Sequence, residues 1–143
     1  MPIIANNITD VRIKIDTKEG GQLQGIQISP SIMSIEEKKV NKEDMLLINC
    51  SLLANYNKAD GKPLAQFMVS EEILMSGDAK EIKEIVGSWE KDKKLPSRME
   101  EQLLESMTTV CMYDLQFFTN KMRFPPAMGF KIPSMKTEKK SKK

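Results

Sequence analysis

The sequence predicts an α+β fold: a four-stranded antiparallel sheet followed by a short helix and a long C-terminal helix packed on one face. Three observations carry that prediction. Apolar residues alternate with a period of two through ITDVRIKID, DMLLINCSLLANY and PLAQFMVSEEILM. The period changes to that of a helix at Asp78. From Ser97 an apolar stripe then continues for roughly 26 residues. Strands first and helices last argue for antiparallel pairing rather than helical crossovers between parallel strands.

The first strand is read over residues 8–16, with Val11, Ile13 and Ile15 on one side and Arg12, Lys14 and Asp16 on the other. KEGGQLQG, with Gly20, Gly21 and Gly25, reads as a turn or loop. The β-branched run IQISPSIMSIEEKKV is the second strand; Pro30 interrupts its pattern and places it at an edge or a bulge. The third strand puts Leu46, Ile48, Cys50, Leu52, Ala54 and Tyr56 on one face, while its other face is half apolar. Asp60-Gly61 supports a hairpin into the fourth strand, whose inner residues are Ala65, Phe67, Val69 and Ile73. A sheet with a half-apolar second face calls for a cover, such as a second subunit.

Ile82, Ile85, Val86 and Trp89 give the first helix one apolar side, and Asp78 with Glu81 has capping-box spacing. The charged run EKDKK ends it. The second helix begins near Ser97 and carries Leu104, Met107, Cys111, Leu115, Phe118 and Met122 at spacings of three and four. Met99, Leu103, Val110 and Phe117 widen the stripe beyond what one small sheet needs, which suggests two covered surfaces. Pro125 and Pro126 end any regular structure, yet NKMRFPPAMGFKIP continues with Met128, Phe130 and Ile132. Such a segment either plugs a core or lines a surface that binds something apolar.

Composition narrows the chemistry. The chain has no histidine, which removes the commonest general base and metal ligand. Phosphate loops, paired-cysteine motifs and nucleophile elbows are absent from the sequence, so no catalytic residue, metal ligand or cofactor is assigned. The adjacent acids Glu71/Glu72 and Glu100/Glu101 read as solvated faces. Cys50 and Cys111, single cysteines in apolar segments, read as reduced core residues of a cytoplasmic protein, a disulfide between them being the lesser reading. No apolar run has the length of a membrane span and the N-terminus lacks signal-peptide design. The net charge of +2 is concentrated in KTEKKSKK, residues 136–143, whose five lysines face one glutamate. That reads as a solvated tail; with few arginines and no interleaved aromatics it makes a poor nucleic-acid site.

The order of elements, and above all LPSRMEEQLLESMTTVCMYDLQFFTNKMRFPPAMGFKIP at 95–133, resembles the bacterial export chaperone SecB and its wider family. A long helix is entered through Pro96 and left through Arg123-Phe124-Pro125-Pro126 into an apolar, proline-containing segment. The resemblance covers about residues 8–133. It implies a single SecB-like domain over 1–133, and residues 134–143 read by their charge as a disordered lysine-rich tail. It also implies a homotetramer built as a dimer of dimers, without nucleotide or metal, that holds unfolded polypeptides. The client groove it implies takes in Phe124, Pro125, Pro126, Met128, Phe130 and Ile132, with Met122, Phe67 and Met68 beside them. The oligomer interface assigned with it is Val11, Ile13, Leu104, Met107, Cys111, Leu115 and Phe118. Each of these side chains also has a plain core reading, since both uses bury an apolar face.

The family's best-known members are acidic and continue into another short helix where this sequence has its lysine-rich tail. A holding role is therefore better supported than delivery to the secretion ATPase SecA, and a relative serving a dedicated client fits as well. The competing readings are an adaptor docked on one fixed partner, a nucleic-acid binder acting through the tail, and an enzyme whose cleft the sequence does not display.

Overall fold

The computed structural model describes residues 1–15 and 23–124. Four strands, β1 (Ile3–Ile15), β2 (Leu23–Val40), β3 (Glu43–Lys58) and β4 (Pro63–Ser76), precede α1 (Ala79–Asp92) and α2 (Ser97–Lys121). They form one antiparallel sheet in the order β1-β4-β3-β2. The expected α+β class, with a short helix followed by a long one, is what the chain adopts. β1 and β2, consecutive in sequence, lie at opposite edges.

Two strands are longer than their alternation suggests, and bulges are the reason. β1 begins at Ile3, five residues before its clean alternation, because register shifts between Ile3 and Ala5 and between Ile8 and Asp10 break the parity. β2 begins at Leu23, inside the stretch read as a loop, and slips again between Ile32 and Ser34. Pro30 does not interrupt it: it pairs opposite Leu52 on an edge strand, where a missing amide donor can face away from the ladder.

The two hairpins are fixed by their turns. Gly61 has φ of +85° and donates its amide to the Lys58 carbonyl at 2.9 Å, while Asp60 Oδ1 accepts from the Lys62 amide. Asn41 and Lys42, between β2 and β3, both have positive φ, 52° and 68°. Two consecutive left-handed residues are the signature of a type I′ turn, whose twist suits the flanking strands.

The inner sheet face is the core. Leu46, Ile48, Cys50, Leu52, Ala54 and Tyr56 of β3 pack with Ala65, Phe67, Val69, Ile73 and Met75 of β4. Ile82 and Ile85 of α1 and Met99, Leu103, Leu104, Met107, Cys111, Met112 and Leu115 of α2 close over them. Burying one such aliphatic side chain contributes about 1.5–3 kcal/mol, so this layer dominates stability. On the opposite face Met45 and Leu47 are buried, but Asn49, Ser51, Leu53 and Asn55 are only half-buried. Polar ladders run across that face, with Gln66 donating to Asn55 and Asn49 to Ser34, both at 2.8 Å.

Asp78 is the N-cap of α1, yet its side chain makes no cap hydrogen bond, so the capping box with Glu81 does not form. Lys93 ends α1 in the left-handed region and its amide returns to the Trp89 carbonyl. Arg98 in the first turn of α2 reaches Glu84 at 2.6 Å and Glu81 at 3.9 Å, which orients the helix pair more than it stabilises it.

Lys42→Gly should raise stability by roughly 0.5–1 kcal/mol, because glycine adopts positive φ without the side-chain penalty and completes an Asn-Gly turn. Denaturant midpoints of the two proteins measure it; a lower midpoint for the variant would contradict the turn geometry.

Candidate functional site

The end of α2 decides where the apolar C-terminal segment starts. Arg123 adopts φ of 62°, its amide bonds the Asn120 carbonyl, and the Phe124 amide bonds the Thr119 carbonyl. This left-handed exit turns the chain back onto the sheet. Phe124 thereby meets Tyr56 and Phe67, its ring centroid 5.1 and 5.4 Å from theirs, with Tyr56 and Phe67 5.5 Å apart. All three pairs are near-perpendicular, the arrangement that sets ring edges against faces. Burial pushes the Tyr56 phenol above its usual pKa, partly offset by a hydrogen bond with Thr119.

Of the expected groove, Phe67 and Phe124 come together here, but Phe67 is wholly enclosed and serves as the floor. Met122 is 44% exposed beside them. Met68 lies on the opposite face of the sheet, a consequence of strand parity, and is half-buried there. Pro125, Pro126, Met128, Phe130 and Ile132 lie outside the described residues, as does the lysine-rich tail.

The residues expected at an oligomer interface are placed differently. Leu104, Met107, Cys111 and Leu115 are buried in the chain's own core, because the stripe of α2 that carries them faces the sheet. Val11, Ile13 and Phe118 are half-buried at its margin. The apolar surface that α2 leaves open is another row. Tyr113 is 72% and Phe117 58% exposed, and with Ile8 of β1 they line an open cleft of about 520 Å³. Phe117 belonged to the flanking row noted in the sequence, whereas Tyr113 and Ile8 carry no periodic signal that separates them from core positions.

No protein-family model and no curated protein sequence matches this chain. Among solved structures it is similar to the Mycobacterium tuberculosis Rv1957 SecB-like chaperone, in complex with a ChAD peptide from the Rv1956 HigA1 antitoxin. The TM-score is 0.54 at 8% sequence identity, over 93% of this chain and 90% of that one. The fold is SecB-like. With so little identity the likeness concerns architecture, and the side chains discussed here are this protein's own.

One buried group in this SecB-like fold is not apolar. Glu71 was expected at a solvated face, but it shares the inner parity of Phe67, Val69 and Ile73 and is 0% exposed. The alternation itself holds the signal: Glu71 stands in line with the core residues, Glu72 does not. Its Oε1 accepts from Asn6 Nδ2 at 2.9 Å, and Asn6 also reaches Asp114 Oδ2 at 3.4 Å. Burial, then the neighbouring Asp114 carboxyl, push Glu71 up to about 7, with Asn6 acting the other way. Among the described residues no cluster of histidine, cysteine and acidic side chains suits a metal ion, and no helix is long and apolar enough to cross a membrane.

A carboxyl held protonated by the fold penalises folding once the unfolded chain ionises. The penalty is absent below about pH 4.5, grows up to about pH 7 and is constant above it, amounting to about 3 kcal/mol at most. Glu71→Gln should therefore remove the fall in stability across that window and be the more stable protein at pH 8. Urea unfolding at pH 5 and pH 8 tests this, and a variant that keeps the wild-type pH dependence would assign that dependence to another group.

Proposed function

We propose that this protein is an ATP-independent holdase, a homo-oligomer that binds non-native polypeptide segments on apolar surfaces and performs no catalysis. The observation that carries the reading is the SecB-like fold together with apolar side chains that it leaves uncovered at the end of α2 and on its flank. The similar mycobacterial chaperone holds a peptide of an antitoxin, which supports a polypeptide client here, and a dedicated one in particular. The client segment begins at Met122 and Phe124 and continues through Pro125, Met128, Phe130 and Ile132, a stretch whose prolines limit the ordering cost of binding. Methionines such as Met122 and Met128 give a surface that repacks around unlike sequences.

For the oligomer, we place the contact on the exposed row Glu105, Thr109, Tyr113, Phe117 and Lys121, spaced four residues apart on α2. The row is self-complementary about Tyr113: an antiparallel copy sets Glu105 against Lys121, Thr109 against Phe117, and Tyr113 against itself. That gives opposite charges at both ends with Thr109, Tyr113 and Phe117 between them.

The native mass of the purified protein, alone and with a reduced, unfolded polypeptide, tests the whole reading. The expected result is a tetramer that takes up the unfolded chain and ignores its folded form; a monomer that ignores both would turn the assignment towards an adaptor. Tyr113→Asp with Phe117→Asp should lower the native mass while leaving the protomer folded, because both side chains already face outward in it. An unchanged mass would remove this row as the contact.

Phe130→Ala should weaken holding with little loss of stability. Phe124→Ala should weaken it and also cost about 1–3 kcal/mol, less than a fully enclosed phenylalanine, since that ring is half-buried against Tyr56 and Phe67. Client capture by both variants, set beside their unfolding midpoints, checks the pair; capture unaffected in both would locate the client elsewhere.

A further inference from the structure

Cys50 of β3 and Cys111 of α2 are 61 positions apart in sequence, yet their sulfurs lie 3.8 Å apart with both thiols free. They are the contact between two layers, one in the sheet and one in the helix that covers it. Each is 2% exposed. A disulfide requires the sulfurs to close to about 2.05 Å, so each has to move by roughly 0.9 Å, within reach of side-chain adjustment if the helix stays in place.

The buried acid described above adjoins this pair. Glu71 is directly across the β3–β4 ladder from Cys50, and its carboxyl interacts with the Cys111 thiol. Its Oε2 is enclosed and lacks a hydrogen-bond partner of good geometry. Near neutral pH, where both forms of this carboxyl are present, its ionised form can accept a proton, and the thiol of Cys111 is the donor at hand. The holding function proposed above makes no use of any of these three groups.

We propose that Cys50 and Cys111 form a latent redox staple, closed by a small hydroperoxide, that ties α2 to the sheet, with Glu71 relaying the thiol proton. In the first step Cys111 Sγ attacks the peroxide oxygen: an S–O bond forms, the O–O bond breaks, and the proton passes through Glu71 to the leaving hydroxide as water. Cys50 Sγ then attacks the sulfenic sulfur: the S–S bond forms, the S–O bond breaks, and a second water leaves with the Cys50 proton. Two thiols and one hydrogen peroxide thus give one disulfide and two waters. The reaction is slow while α2 is seated, because the hydrogen bond to Cys50 and burial both push the Cys111 thiol well above its usual pKa and withhold thiolate. Loosening of α2 just enough to admit a small oxidant, with Cys111 still beside Glu71, starts the reaction, and closure then fixes the helix on the sheet.

The test uses the native full-length chain treated with hydrogen peroxide, quenched, unfolded and labelled with a maleimide, so that methionine oxidation does not enter the thiol count. The expected result is that both thiols disappear together, within one chain, with a loss of about 2 Da beyond any sulfoxide gain, all restored by dithiothreitol. The oxidised protein should unfold at a higher temperature, since the bond closes a loop of about 60 residues in the unfolded chain. Cys50→Ser should lose the disulfide and stop at an oxidised Cys111. Glu71→Gln should slow closure about tenfold near neutral pH and flatten its pH profile. Thiols that remain labelled after the exposed Met33 and Met122 are already sulfoxides, or links that form only between chains, would overturn the staple. A Glu71→Gln protein with an unchanged rate and pH profile would remove Glu71 from it.

Discussion

One helix has to hide one face of a sheet that is longer than the helix. A strand of 16 residues such as β3 reaches roughly 53 Å, whereas the 25 residues of α2 reach about 38 Å. The rest of the architecture answers that shortfall. α1 covers the end where β3 begins, through Ile82 and Ile85. At the other end the left-handed turn at Arg123 drops Phe124 onto Tyr56 and Phe67. For Phe124, the first aromatic residue after α2, the question of core or groove is thereby answered: it is packed against the core.

How much of this was legible in the sequence follows from which constraints are local. Alternation along β3 and β4 placed Leu46 to Tyr56 and Ala65 to Ile73 on the right face, because a strand's two faces are set by parity alone. Parity fails wherever a bulge adds a residue, which is why the first residues of β1 and β2 escaped notice. Glu71 was misassigned for a different reason: residue type was weighed above position. The breadth of the stripe on α2 was visible, but not its division. Leu104, Met107, Cys111 and Leu115 go to the chain's own sheet and Tyr113 goes outward, and only the angle at which the helix docks decides that. The Asp78 capping box had the right spacing and the wrong side-chain geometry.

At 8% identity the shared architecture with a SecB-like chaperone rests on pattern: period, element order and the position of one long helix. Such a scaffold tolerates wide change in the residues that fill it, provided volume and patterning are kept. The polar neighbourhood of buried Glu71, with half-buried Asp114, exposed Asn6 and the two buried cysteines, is therefore better read as a property of this protein than of the scaffold. It sits where β1, β3, β4 and α2 meet, so any change in its charge or bonding acts on all four at once.

The order of the strands also sets a schedule. β2, β3 and β4 are joined by two tight hairpins, so each can zip onto its neighbour as soon as both exist. β1 has β4 as its partner in the sheet, and Ile13 finds Phe67 only after more than fifty intervening residues have been made. The strand made before the other three is thus the last to be paired, and its addition completes the sheet from the outside. The strand gained last is also an edge whose loss leaves β4, β3 and β2 joined by their hairpins, so the β1 edge can open without unpairing the rest of the sheet.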